Sequence, residues 1–237
     1  EFFGGTVNVK YAVLTSNKDD SVDWDNGYRG NMQYILVKHD ANNGEANRGI
    51  EADNDGSTPN KMPQSNPTIA NLTIIGNEFD TADKDSEGIY LREGTRAQLH
   101  NVVITGPAGM GECLELEGGS TASVTVEQAI AGETVMTNSV IACENDENFK
   151  NAKFTQGTDD SADDTVALDL EDWFLNGTAN TTTSTATGMA NVVNGIYTID
   201  NTAPYVFSST VFFDNASFIG AVSQENDWTA GWTVGLD

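Results

Sequence analysis

Acidic side chains at every second position are the first chemistry this sequence offers. Asp23 and Asp25 alternate with apolar residues in Val22-Asp23-Trp24-Asp25, and Glu51 and Asp53 do so in Ile50-Glu51-Ala52-Asp53. Asp55 follows two residues on. On an extended strand, alternate side chains share a face, and neighbouring strands lie about 4.8 Å apart. Carboxylates stacked at that spacing repel one another unless a cation or an arginine sits among them. Hard oxygen ligands of this kind suit Ca²⁺, so Asp23, Asp25, Glu51, Asp53 and Asp55 are the candidate metal ligands. In strand register none of Asp23, Asp25, Glu51 and Asp53 has a basic neighbour, whereas Arg92 could neutralise its own column. The alternative is a solvated acidic face, with repulsion relieved by salt. Asp53-Asn54-Asp55-Gly56 begins like a calcium loop, but no distal Glu completes an EF-hand. A second chemistry is general acid–base work by paired groups, with Arg92 and Glu93 or Asp23 and Asp25 as weak candidates. Such pairs arise readily by chance in a chain with 36 acidic residues.

The same charge excludes other functions. A net charge of −25 is opposite to what phosphate binding needs, which argues against nucleic acid and anionic membranes. No apolar run approaches the ~18 residues of a membrane-spanning helix. Cys113 and Cys143 lie outside any C-x-x-C, which removes the usual zinc and thioredoxin-like readings. A disulfide between neighbouring units and two buried thiols both remain open. His39 and His100 lack matched partners for a triad or a zinc site, and His100 reads as an outward-facing strand residue.

These residues must be positioned by a repeat. Val9-Lys10-Tyr11-Ala12-Val13-Leu14, Met32 to Val37, Ile69 to Ile74, Leu99 to Ile104 and Met136 to Ile141 each start apolar and carry Tyr or Asn two places on. Those anchors fall at 11, 34, 71, 101 and 138, with gaps of 23, 37, 30 and 37. A second motif interleaves, starting at Val22, Ile50, Ile89 and Leu114. Two strands recurring in fixed order predict a solenoid, an all-β parallel β-helix, rather than an antiparallel sandwich. Alternation puts Val22 and Trp24, Ile50 and Ala52, Ile89 and Leu91, and Leu114 and Leu116 inside. The polar segments 40–48, 53–66 and 77–88 are its loops.

The start, Glu1 to Thr6, overlays Tyr90 to Thr95, which predicts that the chain opens inside a coil and that earlier coils belong before it. Beyond residue 150 the pattern weakens. Asp159 to Asp164 reads as an acidic loop, Val166 to Leu170 as a strand and Thr181 to Thr187 as a low-complexity loop. The expected division is β-helix coils over residues 1–204 and a capping segment over 205–237. Phe212, Phe213, Phe218, Trp228 and Trp232 would then close the last coil; a binding surface is the alternative reading of those aromatics.

Several stretches carry a resemblance: Glu1-Phe2-Phe3-Gly4-Gly5-Thr6-Val7-Asn8-Val9-Lys10, Asp19-Asp20-Ser21-Val22-Asp23-Trp24, Ser65-Asn66-Pro67-Thr68, Leu91-Arg92-Glu93-Gly94-Thr95, Phe218-Ile219-Gly220-Ala221-Val222 and Asp227-Trp228-Thr229-Ala230-Gly231-Trp232-Thr233. The chain resembles a family of bacterial right-handed β-helix proteins, many of them secreted or outer-membrane lipoprotein-like. That resemblance implies right-handedness, further coils upstream and an extracellular or outer-membrane location. The functional expectation is a non-catalytic surface protein for binding, adhesion or assembly, stabilised by Ca²⁺. Its partner would be a polysaccharide or another surface protein, and its open first coil could pair with a further chain. A polysaccharide lyase or glycoside hydrolase on the same scaffold is the alternative.

Overall fold

The structure is a computed structural model describing residues 1–80, 86–117, 123–144, 148–150, 152–154, 165–182, 204–209, 211–223 and 225–236. Short and long strands alternate along its first half. They are β1 (Phe2–Phe3), β2 (Val9–Thr15), β3 (Val22–Asp25), β4 (Asn31–Lys38), β5 (Ile50–Ala52) and β6 (Thr68–Ile75). Next come β7 (Ile89–Leu91), β8 (Gln98–Gly106), β9 (Leu114–Leu116), helix α1 (Ser123–Ile130), β10 (Val135–Thr137) and β11 (Val140–Cys143). The remainder holds β12 (Phe149–Lys150), β13 (Ala152–Phe154), β14 (Thr165–Leu168), helix α2 (Leu170–Asn176) and β15 (Thr181–Thr182).

The alternation sorts the strands into two parallel sheets. The short strands stack as β1-β3-β5-β7-β9-β12 and the long ones as β2-β4-β6-β8-β11-β15, with β10 beside β8. Register follows the sequence motifs: Val22 pairs with Ile50, Ile50 with Ile89, and Ile89 with Leu114. Phe2 pairs with Trp24, so the first residues do overlay Tyr90 to Thr95. The inward members of β3, β5, β7 and β9 are all buried, because period-two alternation turns them toward the core. Trp24 also satisfies its indole there, donating Nε1–H to Thr95 Oγ1 at 2.9 Å.

The long strands are bent, and their anchors do the bending. Tyr11, Tyr34, Asn71, Asn101 and Asn138 all adopt positive φ, between 51° and 60°. One left-handed residue turns the strand and shifts its alternation. Met32, Ile35 and Val37 therefore face the core, as do Ile69, Leu72 and Ile74 in the next strand. Asn tolerates this conformation better than most residues, which explains its recurrence at three of the five anchors. Gly94 serves a related need at φ 78°: a Cβ there would sit 1.9 Å from the Pro59 carbonyl oxygen.

Two expectations need correction. First, the aromatic tail does not close the last coil. Its described residues between 204 and 236 lie along the outer face of the long sheet, across β2, β4, β6, β8 and β11. Tyr205 N–H donates to Asn101 Oδ1 at 2.6 Å, Asp214 N–H to Gln33 Oε1 at 2.8 Å and Ala221 N–H to Thr73 Oγ1 at 2.8 Å. The cause is an outward apolar stripe: Val13, Leu36, Val103 and Val140 share a register interrupted only by Thr73. Ile219, Ala221, Val222 and Trp228 cover it. Second, the strand expected at Val166 to Leu170 runs from Thr165 to Leu168 and does not join the coils. Thr165–Leu168 pairs antiparallel with Ala152–Phe154, outside both ladders. Leu170 opens a helix instead of ending a strand, because the Asp169 side chain caps it by accepting from Asp172 N–H at 3.1 Å. The expected loop at 159–164 lies outside the described residues; of the loop expected at 181–187, Thr181–Thr182 is strand β15, paired with β11, and the rest lies outside them.

Candidate functional site: the outer face of the short sheet

Three columns of polar side chains run along the outer face of the short sheet. The central column is Asp23, Glu51, Tyr90, Glu115 and Lys150, in direct register. Asp25, Asp53, Arg92 and Glu117 flank it on the C-terminal side. On the N-terminal side, two residues before each strand's first apolar residue, lie Asp20, Arg48, Glu87 and Glu112. The ladder continues through them: Ser21 N–H donates to the Arg48 carbonyl, Gly49 N–H to that of Glu87 and Gly88 N–H to that of Glu112.

Arginines are threaded into this acidic face. Arg92 clamps Asp53 with two bonds, Nε to Oδ1 at 2.6 Å and Nη2 to Oδ2 at 2.8 Å, and reaches Glu51 at 3.1 Å. Arg48 donates Nε–H to Glu87 at 2.7 Å and Nη1–H to Glu51 at 2.9 Å. Both guanidiniums sit over the Tyr90 ring, 4.9 and 5.7 Å from its centroid. The register reading of Glu51 and Asp53 as columns without a basic neighbour is therefore corrected. Arg92 clamps Asp53 within its own column and reaches diagonally to Glu51, and Arg48 enters from the segment preceding β5, where the strand motif gave no reason to look.

The other candidate ligands are more dispersed. Asp23 is Glu51's direct neighbour. The Asp25 carboxylate takes the backbone and side-chain N–H groups of Asn26. Asp55 pairs with Lys61 and accepts from Thr58 N–H at 2.8 Å and Ser57 N–H at 3.1 Å, which makes it a turn-former. Arg92 and Glu93 do not act as a pair: Arg92 points at Asp53 and Glu51, and Glu93 packs beside Gly56 while its N–H donates to Glu117 at 2.7 Å.

Burial tunes these groups. Loss of solvent, then the Glu1 and Asp20 carboxylates, raises the pKa of Asp23 to about 7. Burial, then Asp20, raises Glu51 to about 7. Burial and then Glu115 raise Glu87 to about 8, against the pull of Arg48. The histidines are not part of this face. His39 and His100 are both buried and pushed down to about 4 by that burial. His100 faces outward from the long sheet under the tail, stacked on Tyr205 with centroids 4.0 Å apart.

Glu87, Glu112 and Glu115 converge at the next level of the ladder, each offering a carboxylate oxygen within 4.8 Å of the others. Lys150 Nζ lies 3.1 Å from Glu115 and 4.0 Å from Glu112. Glu87 and Glu112 were absent from the candidate ligands. The signal that finds them is the same two-residue step continued backward from Ile89 and Leu114. Inside the fold, Cys113 and Cys143 are joined as a disulfide, their Cα atoms 6.5 Å apart.

Two stacked parallel sheets fed by alternating strands, with a charged outer face on the shorter one, define a protein of the β-helix class. The profile of the pectate-lyase-like β-helix domain matches residues 1–233, and the chain belongs to that family. Comparison with curated proteins found no match, and comparison with solved structures found none. No helix among the described residues is long and apolar enough to cross a membrane.

Proposed function

We propose that this protein is a non-catalytic, extracellular or surface-attached right-handed β-helix that holds neutral polysaccharide along the outer face of its short sheet. Membership of the pectate-lyase-like β-helix family supports a carbohydrate-related role. The observation that carries the location is the grid of carboxylates and guanidiniums around Tyr90. Planar ionic groups at fixed spacing supply the paired donors and acceptors that sugar hydroxyls need. An aromatic ring among them adds an apolar surface. The polar loops at 40–48 and 53–66 lead into and out of β5 and would border a bound chain.

The excess of negative charge favours neutral over uronate-rich polysaccharide, because a polyanion would meet like charge. The ion pairs favour binding over catalysis. Arg48 and Arg92 are each committed to two carboxylates, which leaves neither poised as a base. The glycoside hydrolase reading draws on a single feature, the carboxyls of Glu51 and Glu87 held near neutral pKa, as general acids require.

Affinity electrophoresis through gels cast with neutral or uronate polysaccharides tests this directly, with reducing ends assayed in parallel. The expected result is retardation by at least one neutral polysaccharide, loss of that retardation in Tyr90→Ala, and no new reducing ends. New reducing ends would move the protein to the hydrolase reading. Free migration through every gel would sink the carbohydrate reading altogether.

A further inference from the structure

The geometry points to a calcium site formed by Glu87, Glu112 and Glu115, with Lys150 as a tethered cation that the ion displaces. The inference stands apart from the carbohydrate reading and is tested separately.

The three carboxylates come from successive rungs and adjacent columns, so the ladder itself sets their spacing. Glu87 and Glu115 are buried, with side chains only 4% and 7% exposed, and that of Glu112 is 19% exposed. Their ligand atoms lie within 4.8 Å of one another. That limit equals twice a calcium–oxygen distance of about 2.4 Å, so even the widest pair can lie across one Ca²⁺. Mg²⁺ gives up its water shell more reluctantly than Ca²⁺, which favours the larger ion among buried carboxylates.

A separate observation marks the position. Glu115 Oε1 takes Lys150, but Oε2 is fully buried and has no hydrogen-bond partner among the described residues. A buried carboxylate oxygen left without a donor is costly, and it is an open coordination position. Charge balance agrees. Around Tyr90, Arg48 and Arg92 offset Glu51, Asp53 and Glu87, whereas on the next rung Glu112 and Glu115 share the ammonium of Lys150. Lys150 is half exposed on a flexible stem. It can swing into solvent when a divalent ion enters, and its ammonium occupies part of the same place when the ion is absent.

The test is calorimetric titration of the whole chain with Ca²⁺ and, separately, Mg²⁺, in low salt at neutral pH. Wild type should bind one Ca²⁺ and take Mg²⁺ more weakly. Glu112→Gln and Glu115→Gln should each weaken calcium binding by roughly tenfold or more, and Asp25→Asn, outside the cluster, should leave it unchanged. Lys150→Met should tighten it by roughly fivefold to tenfold, because the competing ammonium is gone. A misfolded variant cannot produce that gain, so the lysine variant remains decisive if the glutamine variants unfold. Absence of saturable calcium binding overturns the proposal. So does binding that is indifferent to both Glu112→Gln and Lys150→Met, which would describe ions condensed on an acidic surface.

Discussion

Arg48 is the residue on which the outer face of the short sheet depends most. Its side chain is 11% exposed and joins Glu51, which Arg92 also reaches, to the buried Glu87, which it pairs at 2.7 Å. Breaking a buried pair from one side is far more costly than the pair is worth in net stability, because the partner's charge remains. Arg48→Met should therefore destabilise the fold by about 3 kcal/mol in urea denaturation. Adding Glu87→Gln should restore part of that loss. A single-variant loss below about 1 kcal/mol would mean that the network behaves as a surface pair. Part of this network was legible in the sequence. The Asp23–Glu51–Tyr90–Glu115 column follows from period-two alternation within recognised strands. Arg48, Glu87 and Glu112 were not seen, because they precede the apolar residues that mark each strand, and the ladder keeps its register for two residues beyond those marks.

At the scale of elements, the bent long strand and the tail that crosses it form one device. The anchors at 11, 34, 71, 101 and 138 were visible as a repeated Tyr or Asn, but their role as left-handed bends was not, since two of the five are Tyr. Asn101 both adopts φ 56° and holds the tail, its Oδ1 accepting from Tyr205 N–H and its Nδ2 donating to the Tyr205 carbonyl. Asn101→Ala loses both bonds and strains the bend, and should cost about 2 kcal/mol by chemical denaturation. Asn101→Gly should cost less, because glycine meets no strain there; equal costs would place the whole effect in the hydrogen bonds. The tail's path was not legible. Its apolar residues have no period, and the stripe it covers became outward only because each bend resets the alternation. Ile219 packs on Val103 and Val140 and is 1% exposed. Ile219→Ala should cost about 2–3 kcal/mol and raise dye binding to exposed apolar surface. An unchanged stability would show that the tail rests on the sheet without sealing it.

For the molecule as a whole, buried ionisable groups give stability a pH dependence with a definite sign. Asp23 and Glu51 titrate near 7 and Glu87 near 8 in the folded chain, against about 4 when unfolded. Between those values the folded state holds more protons, so stability falls as pH rises through the window. His39 and His100, held near 4 by burial, act oppositely, but their contribution is complete above their unfolded value of about 6.5. In calcium-free buffer, Tm should fall between about pH 6.5 and 8.5, and Glu87→Gln should flatten the upper part of that fall. A Tm that rises across this range would contradict the burial of these carboxyls.

The central claim is that a polysaccharide lies along the outer face of the short sheet, and amide hydrogen exchange on the bound complex tests it most directly. Binding of a neutral polysaccharide should slow exchange in residues 50–54, 89–93 and 114–117, with weaker effects in loop residues 55–66 and none under the tail at 218–222. Protection confined to the tail, or a complex that leaves those three rungs exchanging as in the free chain, would contradict the account.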